Sequence, residues 1–347
     1  MTYEAKIAIA WNELPFYASC IIRAAIEKLG EPVYIIGSKP TVPIEGMEQA
    51  LGQPIHWIDI DSPCSWSDLK VTVPKIFIHS GWSYPAFNNL GQEVRQQGGQ
   101  VVSMIDNCWK NSPKQWVGAI VFRIVYRRWF DAVWVPGRSG EKLCRFLGMP
   151  SEKIYQRLYG AEPNIFSPGL PLSKREKKFL FVGQFIKRKG IDLLIQAFQK
   201  FHIQFPDWQL HIVGSGVLSD LITGSGIIKE KFKQSYDVAQ VMKQSRFLIL
   251  PSYEEHWGLV IHEATLSGCG IITTKEVGSI VDLVSDKNGI TLKNHSIDTI
   301  YKAMLKAATF SDTKLEHIFY ESCHLASKFS PEQSASMFVK IIKDLNK

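Results

Sequence analysis

The stretch FLFVGQFIKRKGIDLLIQAF, Phe179 to Phe198, decides the fold. Apolar, β-favouring side chains give way at Gly183 to a basic loop. Ile191, Leu194, Ile195 and Phe198 then recur at helical spacing, continued by Phe201. Lys187, Arg188 and Lys189 crowd the start of that helix. A helix N-terminus already carries partial positive charge and unsatisfied N–H groups, so three added cations are unfavourable unless an anion binds there. Phosphate is the simplest such anion, and a solvated charged loop is the plain alternative.

The same strand-loop-helix rhythm extends in both directions. Upstream run KIAIAW, the helix-like YASCIIRAAIEKLG closing on Gly30, PVYIIGS, IFIHSGW, QVVSMID, DAVWVPG and the helix-like GEKLCRFLGMP. After a break come KFLFVGQF, WQLHIVG, RFLILPS and CGIITT. Two α/β halves with mostly parallel sheets are predicted. The break, SPGLPLSKREKK (Ser167–Lys178), combines prolines, a glycine and a charge run as a linker does. The expected domains are therefore 1–169 and 170–330. The tail SPEQSASMFVKIIKDLNK reads as a last helix, 331–347, that starts at Pro331 and packs back on the first domain.

Composition supports this reading. A chain of 347 residues exceeds what one hydrophobic core usually serves, and 45% apolar with 21% charged residues is ordinary for a globular protein. No apolar run approaches the ~18 residues of a membrane span, and the N-terminal stretch lacks a signal-like apolar region, so a cytoplasmic protein is expected. Six cysteines without a C-x-x-C pair predict reduced thiols rather than a zinc or disulfide framework. The net charge of +7 points to an anionic partner: phosphate, nucleic acid or an acidic membrane surface.

EEHWGLVIHEA, Glu254 to Ala264, follows the predicted strand RFLILPS. It places Glu255 on the loop at the sheet's carboxyl edge and Glu263 on the second turn of a helix that begins at Gly258. Were the stretch all helix, the two carboxylates would lie ~12 Å apart, beyond the ~5 to 9.5 Å of a glycosidase pair. One long ligand fits better, with hydroxyls at both ends and an anionic middle facing the helix N-terminus. A sugar nucleotide has that layout. The plain alternative is a surface loop charge and a solvated helix residue. HIVGSGVL adds Gly214 and Gly216 after a strand, where backbone approaches a ligand closely; alone this pair is a weak signal.

Taken in order, VGQFIKRKG, IVGSG, LPSYEEHWGLVIHEA and VGSIVDLVSDKNGITL resemble the donor half of retaining glycosyltransferases of family 4. LYGAEPNIFSP resembles the turn that precedes it. The resemblance covers roughly residues 130 to 345. It implies a GT-B fold, in which two Rossmann-like doubly wound α/β domains face each other across a cleft. It also implies transfer of a hexose-type sugar from a nucleoside diphosphate to an acceptor hydroxyl on a glycan or glycolipid, as in polysaccharide biosynthesis. Carried over by position, Glu255 and His256 contact the sugar, and Gly258 and Leu259 offer backbone N–H groups to the diphosphate. Glu263 holds the ribose, and Lys189 neutralises the leaving phosphate. Gly183, Gln184, Gly214 and Trp257 complete the donor set. The family often has an arginine where Gln184 stands, and Arg188 is expected to replace that charge. His256 stands where a small residue is common, and Asp282 where a glutamate is.

The N-terminal half matches less well, since NELPFY (Asn12–Tyr17) stands where relatives have a glycine-rich loop. Asp106 is expected as a polar contact near the reacting sugar, against a plain strand-end turn. His79, a lone strand-end histidine, is expected to be structural. Asp59 and Asp61 have metal-binding spacing and are expected on one strand face, but the cationic loop already neutralises phosphate, so no cofactor or metal is expected. KQWVGAIVFRIVYRRWF (Lys114–Phe130) is read as a core-facing helix with arginines toward its end. Peripheral binding to an acidic bilayer is the alternative. Other functional classes are a sugar-nucleotide epimerase, a catalytically silent binding subunit and a nucleic-acid binder; no stacking platform supports the last.

Overall fold

The computed structural model describes residues 3–41 and 43–347. The chain divides into two compact units, Met1–Gly160 with Phe329–Lys347, and Ala161–Lys328.

The first unit holds β1 (Ile7–Trp11), α1 (Phe16–Leu29), β2 (Val33–Gly37), α2 (Met47–Leu51), β3 (His56–Trp57) and β4 (Ile76–Ser80). It continues with α3 (Pro85–Gln96), β5 (Gln100–Met104), α4 (Pro113–Val121), β6 (Ala132–Trp134), α5 (Arg138–Phe146) and β7 (Ile154–Tyr155). Its parallel sheet runs β3-β2-β1-β4-β5-β6-β7. β1 and β6 are buried along their whole lengths, as strands covered by helices on both faces must be.

The second unit holds β8 (Lys178–Val182), α6 (Ile191–His202), β9 (Gln209–Val213), β10 (Ile227–Glu230), α7 (Ser235–Gln244), β11 (Phe247–Leu250) and α8 (Leu259–Leu266). After these come β12 (Gly270–Thr274), α9 (Ile280–Leu283), β13 (Gly289–Leu292), α10 (Ile297–Ala308) and α11 (Asp312–Ala326). Its sheet, also parallel, runs β10-β9-β8-β11-β12-β13. The chain winds outward from β8 in one direction and from β11 in the other, so the order reverses between these two strands. In such a sheet ligands bind beyond the carboxyl ends of the strands at that reversal. On α6, Ile191, Leu194, Ile195, Phe198 and Phe201 are all buried, the face that the sequence spacing predicts.

α12 (Pro331–Leu345) returns to the first unit, with Pro331 in its first turn and the Ser330 hydroxyl accepting from Gln333 N–H. It lies along α1, where Lys28 Nζ donates to Ser336 Oγ at 2.8 Å, and Ser334 Oγ donates to Leu158 O at 3.0 Å.

The unit border falls between Gly160 and Ala161 rather than at residue 169, and the linker-like Ser167–Lys178 lies inside the second unit. Arg175 explains the difference. Its buried guanidinium donates to the carbonyls of Leu170, Met242, Ser245 and Ser267, and Leu172 beside it is fully buried.

Asp59 and Asp61 do not share a strand face, because β3 ends at Trp57. Asp59 instead closes a turn, accepting from Asp61 N–H at 3.1 Å and Ser62 Oγ at 2.9 Å. The segment Lys114–Phe130 is core-facing only in part: Ala119, Phe122 and Phe130 are buried, whereas Trp116, Val117, Ile120, Val121 and Ile124 are exposed. After α4 it continues as a π-helical turn, Phe122–Tyr126, and a 3₁₀ turn, Arg127–Trp129. Among the described residues no helix is long and apolar enough to cross a membrane. None forms a disulfide, and Cys108, Cys144 and Cys269 are buried.

Candidate functional site: a cationic loop and a helix start at the sheet reversal

β8 and β11 deliver their following loops to the same edge of the second sheet. The loop after β8 begins with Gly183, whose N–H donates to Val213 O at 3.0 Å, so Gly183 lies beside Gly214 at the end of β9. Gln184 is exposed, and Phe185, fully buried, anchors the loop. Lys187–Lys189 form one 3₁₀ turn closed by Gly190. Gly190 has φ +68°, and a Cβ there would stand 2.3 Å from Pro251 O just after β11. Only glycine lets the start of α6 approach that strand end so closely.

This approach brings the basic turn onto the second loop. Tyr253 N–H donates to Arg188 O at 2.8 Å, and Arg188 Nη1 donates to Glu254 O at 2.6 Å. The Lys189 ammonium is ion-paired with Glu255, and Arg188 Nη1 stands 3.7 Å from the same carboxylate oxygen. Lys189 and Glu255 are mostly buried, with 12% and 16% of their side chains exposed. Arg188 is more open at 41%. One carboxylate therefore holds two cations at the mouth of the site, sixty-six residues apart in sequence from the lysine.

Glu255 is fixed from its other side. Its backbone bridges to Val277 in parallel fashion: Glu255 N–H donates to Glu276 O at 3.2 Å and Gly278 N–H donates to Glu255 O at 3.1 Å. Ser279 N–H donates to Trp257 O at 3.0 Å. The ring of Trp257 is buried, 3% exposed, so it anchors the loop rather than offering a surface. His256 is half-buried, with Nε2 3.8 Å from Glu254 Oε1.

Gly258 starts α8 with φ +77°, and a Cβ there would meet Val277 and Glu255 side-chain atoms at 2.9 and 3.0 Å. No side chain caps this helix. Its first N–H groups, beginning at Leu259, are the open donors expected at a helix start. Glu263 follows on the second turn. Among the described residues no hydrogen bond or ion pair reaches its carboxyl group, and burial pushes its pKa up to about 7. Such a group is poised to accept from hydroxyls that a ligand brings.

The backbone neighbours Glu276, Val277, Gly278 and Ser279 were not singled out individually from the sequence. Val277, Gly278 and Ser279 open VGSIVDLVSDKNGITL and Glu276 directly precedes it; the glycine-serine pair after a predicted strand is the one sequence signal there. Asp282 stands in the short α9 that follows. Asp106 belongs to the first unit, just beyond β5, where its carboxylate accepts from Tyr159 OH at 3.1 Å. His79 is a core group. It packs against Phe77, Phe87 and Phe130, and burial lowers its pKa to about 4.

Residues 164–321 match the sequence model of a family described as glycosyl transferases group 1. An uncharacterized glycosyltransferase of Haemophilus influenzae is 32% identical over 152 residues, 42% of this chain and 43% of that protein. A D-inositol 3-phosphate glycosyltransferase of Corynebacterium jeikeium is 24% identical over 212 residues, 54% of this chain and 50% of that protein. The chain thus spans about half the length of the curated relatives it matches. Among solved structures, a glycosyltransferase from Rickettsia africae superposes with a TM-score of 0.76 at 13% identity, over 99% of both chains. HepE from Anabaena, in complex with UDP and glucose, gives 0.74 at 14% identity, over 98% of this chain and 99% of that one. The fold is that of GT-B glycosyltransferases, with two Rossmann-like α/β domains, each built on a parallel sheet.

Proposed function

We propose that this chain is a retaining, metal-independent glycosyltransferase that moves a sugar from a nucleoside diphosphate to an acceptor hydroxyl on a glycan or lipid-linked glycan. One arrangement carries the reading: at the sheet reversal Lys189 and Arg188 gather on Glu255, three residues before the uncapped start of α8, and Glu263 follows on the second turn of that helix. The match of residues 164–321 to glycosyl transferases group 1 supports it.

The chemistry follows from the charges. In the transfer, the bond between the anomeric carbon and the phosphate oxygen breaks and negative charge grows on the diphosphate. Lys189, Arg188 and the N–H groups at Leu259 are aimed at that charge, in a partly desolvated site where such donors act most strongly. Glu255 accepts from sugar hydroxyls and fixes the sugar's orientation, while Glu263 accepts from the ribose hydroxyls. The acceptor oxygen bonds to the anomeric carbon on the face the diphosphate leaves. Its proton passes to the departing phosphate oxygen, which serves as base. Lys189 and Arg188 also supply the phosphate neutralisation that other transferases take from a divalent cation.

The test is turnover with a panel of UDP, GDP, ADP and TDP sugars, with and without an acceptor, in the presence of a chelator. The proposal expects a new glycoside that requires the acceptor and keeps the donor's anomeric configuration. Conversion of the nucleotide sugar without an acceptor would show an epimerase, and binding without turnover a silent subunit.

A further inference from the structure

α4 and the π-helical turn after it carry an exposed apolar face on the first unit, anchored at one end where Trp116 packs edge-on against Phe146 and donates to Asn111 Oδ1 at 3.1 Å. Trp116, Val117, Ile120, Val121 and Ile124 are 43 to 71% exposed, whereas Ala119 and Phe122 point into the core. At about 100° per residue the five exposed side chains occupy an arc of roughly 140°. Lys114 lies just past one edge of that arc and Arg123 just past the other. A contiguous apolar face of this size, exposed to water, is uncommon unless something covers it.

Charge identifies what covers it. Between Asp106 and Asp131 the chain has no acidic residue, yet Lys110, Lys114, Arg123, Arg127 and Arg128 all fall there. Lys114, Arg123 and Arg128 are exposed. Arg123 is also held in place, donating to Phe146 O at 2.7 Å, and Arg127 Nε reaches Gly148 O at 3.4 Å. A second copy of the chain docking through the same face would bring like charges together. A surface that is negative above and apolar below matches both parts: cations meet the headgroups, and Trp116 and the isoleucines enter the acyl boundary. We propose that the exposed face of residues 114–128 seats the first unit on an anionic phospholipid bilayer, parallel to its plane. This rests on the surface alone and does not depend on the donor-site reading.

The test is co-sedimentation with vesicles of phosphatidylcholine, alone or mixed with phosphatidylglycerol. The chain should partition onto the mixed vesicles and much less onto phosphatidylcholine alone, and added salt should weaken it. Ile120→Ser with Ile124→Ser should cut partitioning at least about tenfold. Lys114→Gln with Arg128→Gln should cut it about thirtyfold. All four side chains are exposed, so melting temperature and turnover on a soluble acceptor should stay unchanged in both variants. Failure of the wild-type chain to bind mixed vesicles would overturn the proposal. So would binding that survives both pairs of substitutions, or a dimer that the serine variant dissolves while no vesicle binding is seen.

Discussion

Lys189 and Glu255 form an ion pair that joins the loop after β8 to the loop after β11, across the point where the strand order of the second sheet reverses. Both side chains are mostly buried, so each carries a desolvation cost that its partner offsets. The pair holds the cation beside the loop that leads into α8. Substituting either partner should destabilise the fold, and the double variant Lys189→Ala, Glu255→Gln should lose less than the sum. The coupling expected from a denaturant double-mutant cycle is about 1 to 3 kcal/mol; additive effects would mean that the two residues do not act as a pair.

Lys189→Ala should also slow turnover about a hundredfold to a thousandfold, because charge stabilisation acts in the transition state. Donor affinity should fall much less, since helix N–H groups and Arg188 remain. Steady-state kinetics separate these effects: a loss confined to KM would remove Lys189 from the chemistry.

Glu263 gives a pH signature. Burial raises its pKa from the usual carboxylate range to about 7, so the folded protein binds a proton more tightly than the unfolded chain does. Its favourable contribution is complete at low pH and is lost as pH rises through about 7. Glu263→Gln should therefore raise stability relative to wild type by up to about 3 kcal/mol at pH 8 and by little near pH 4.5. Melting curves across that range check the sign. Under the proposed role of Glu263 as ribose acceptor, the same substitution should also weaken donor binding.

Arg175 predicts a large structural effect. Its guanidinium satisfies four carbonyls drawn from the segment before β8, the end of α7 and the turn after α8. Arg175→Ala orphans them and should cost about 3 kcal/mol or more. Arg175→Lys should recover little, because an ammonium cannot reproduce the planar fork. Shifts in the urea midpoint measure both.

Much of the fold was legible because strands of a parallel sheet, buried on both faces, are short unbroken apolar runs such as those at Ile7 and Phe247. The edge strands at His56, Ile154, Ile227 and Gly289 gave no such signal, being two to four residues long and less buried. Arg175 was hidden within a composition that reads as linker, since nothing local shows that a guanidinium will find four carbonyls. The exposed face of α4 is hidden in the sequence for a related reason. With apolar residues both inward at Ala119 and Phe122 and outward at Ile120 and Ile124, no polar face remains to orient the helix. At the site, the basic turn and the two glutamates stood out through their spacing around glycines. The pairing of Lys189 with Glu255 did not, because it depends on β8 and β11 being neighbours.

The claim that most depends on this geometry is that a diphosphate binds between the basic turn and the start of α8. A structure determined with a bound nucleoside diphosphate tests it directly. Phosphate oxygens should lie within hydrogen-bonding distance of the Leu259 N–H and of Lys189 Nζ, with the ribose hydroxyls on Glu263. A nucleotide bound elsewhere on the chain, with Lys189 still held by Glu255 and the start of α8 facing only water, would contradict the account.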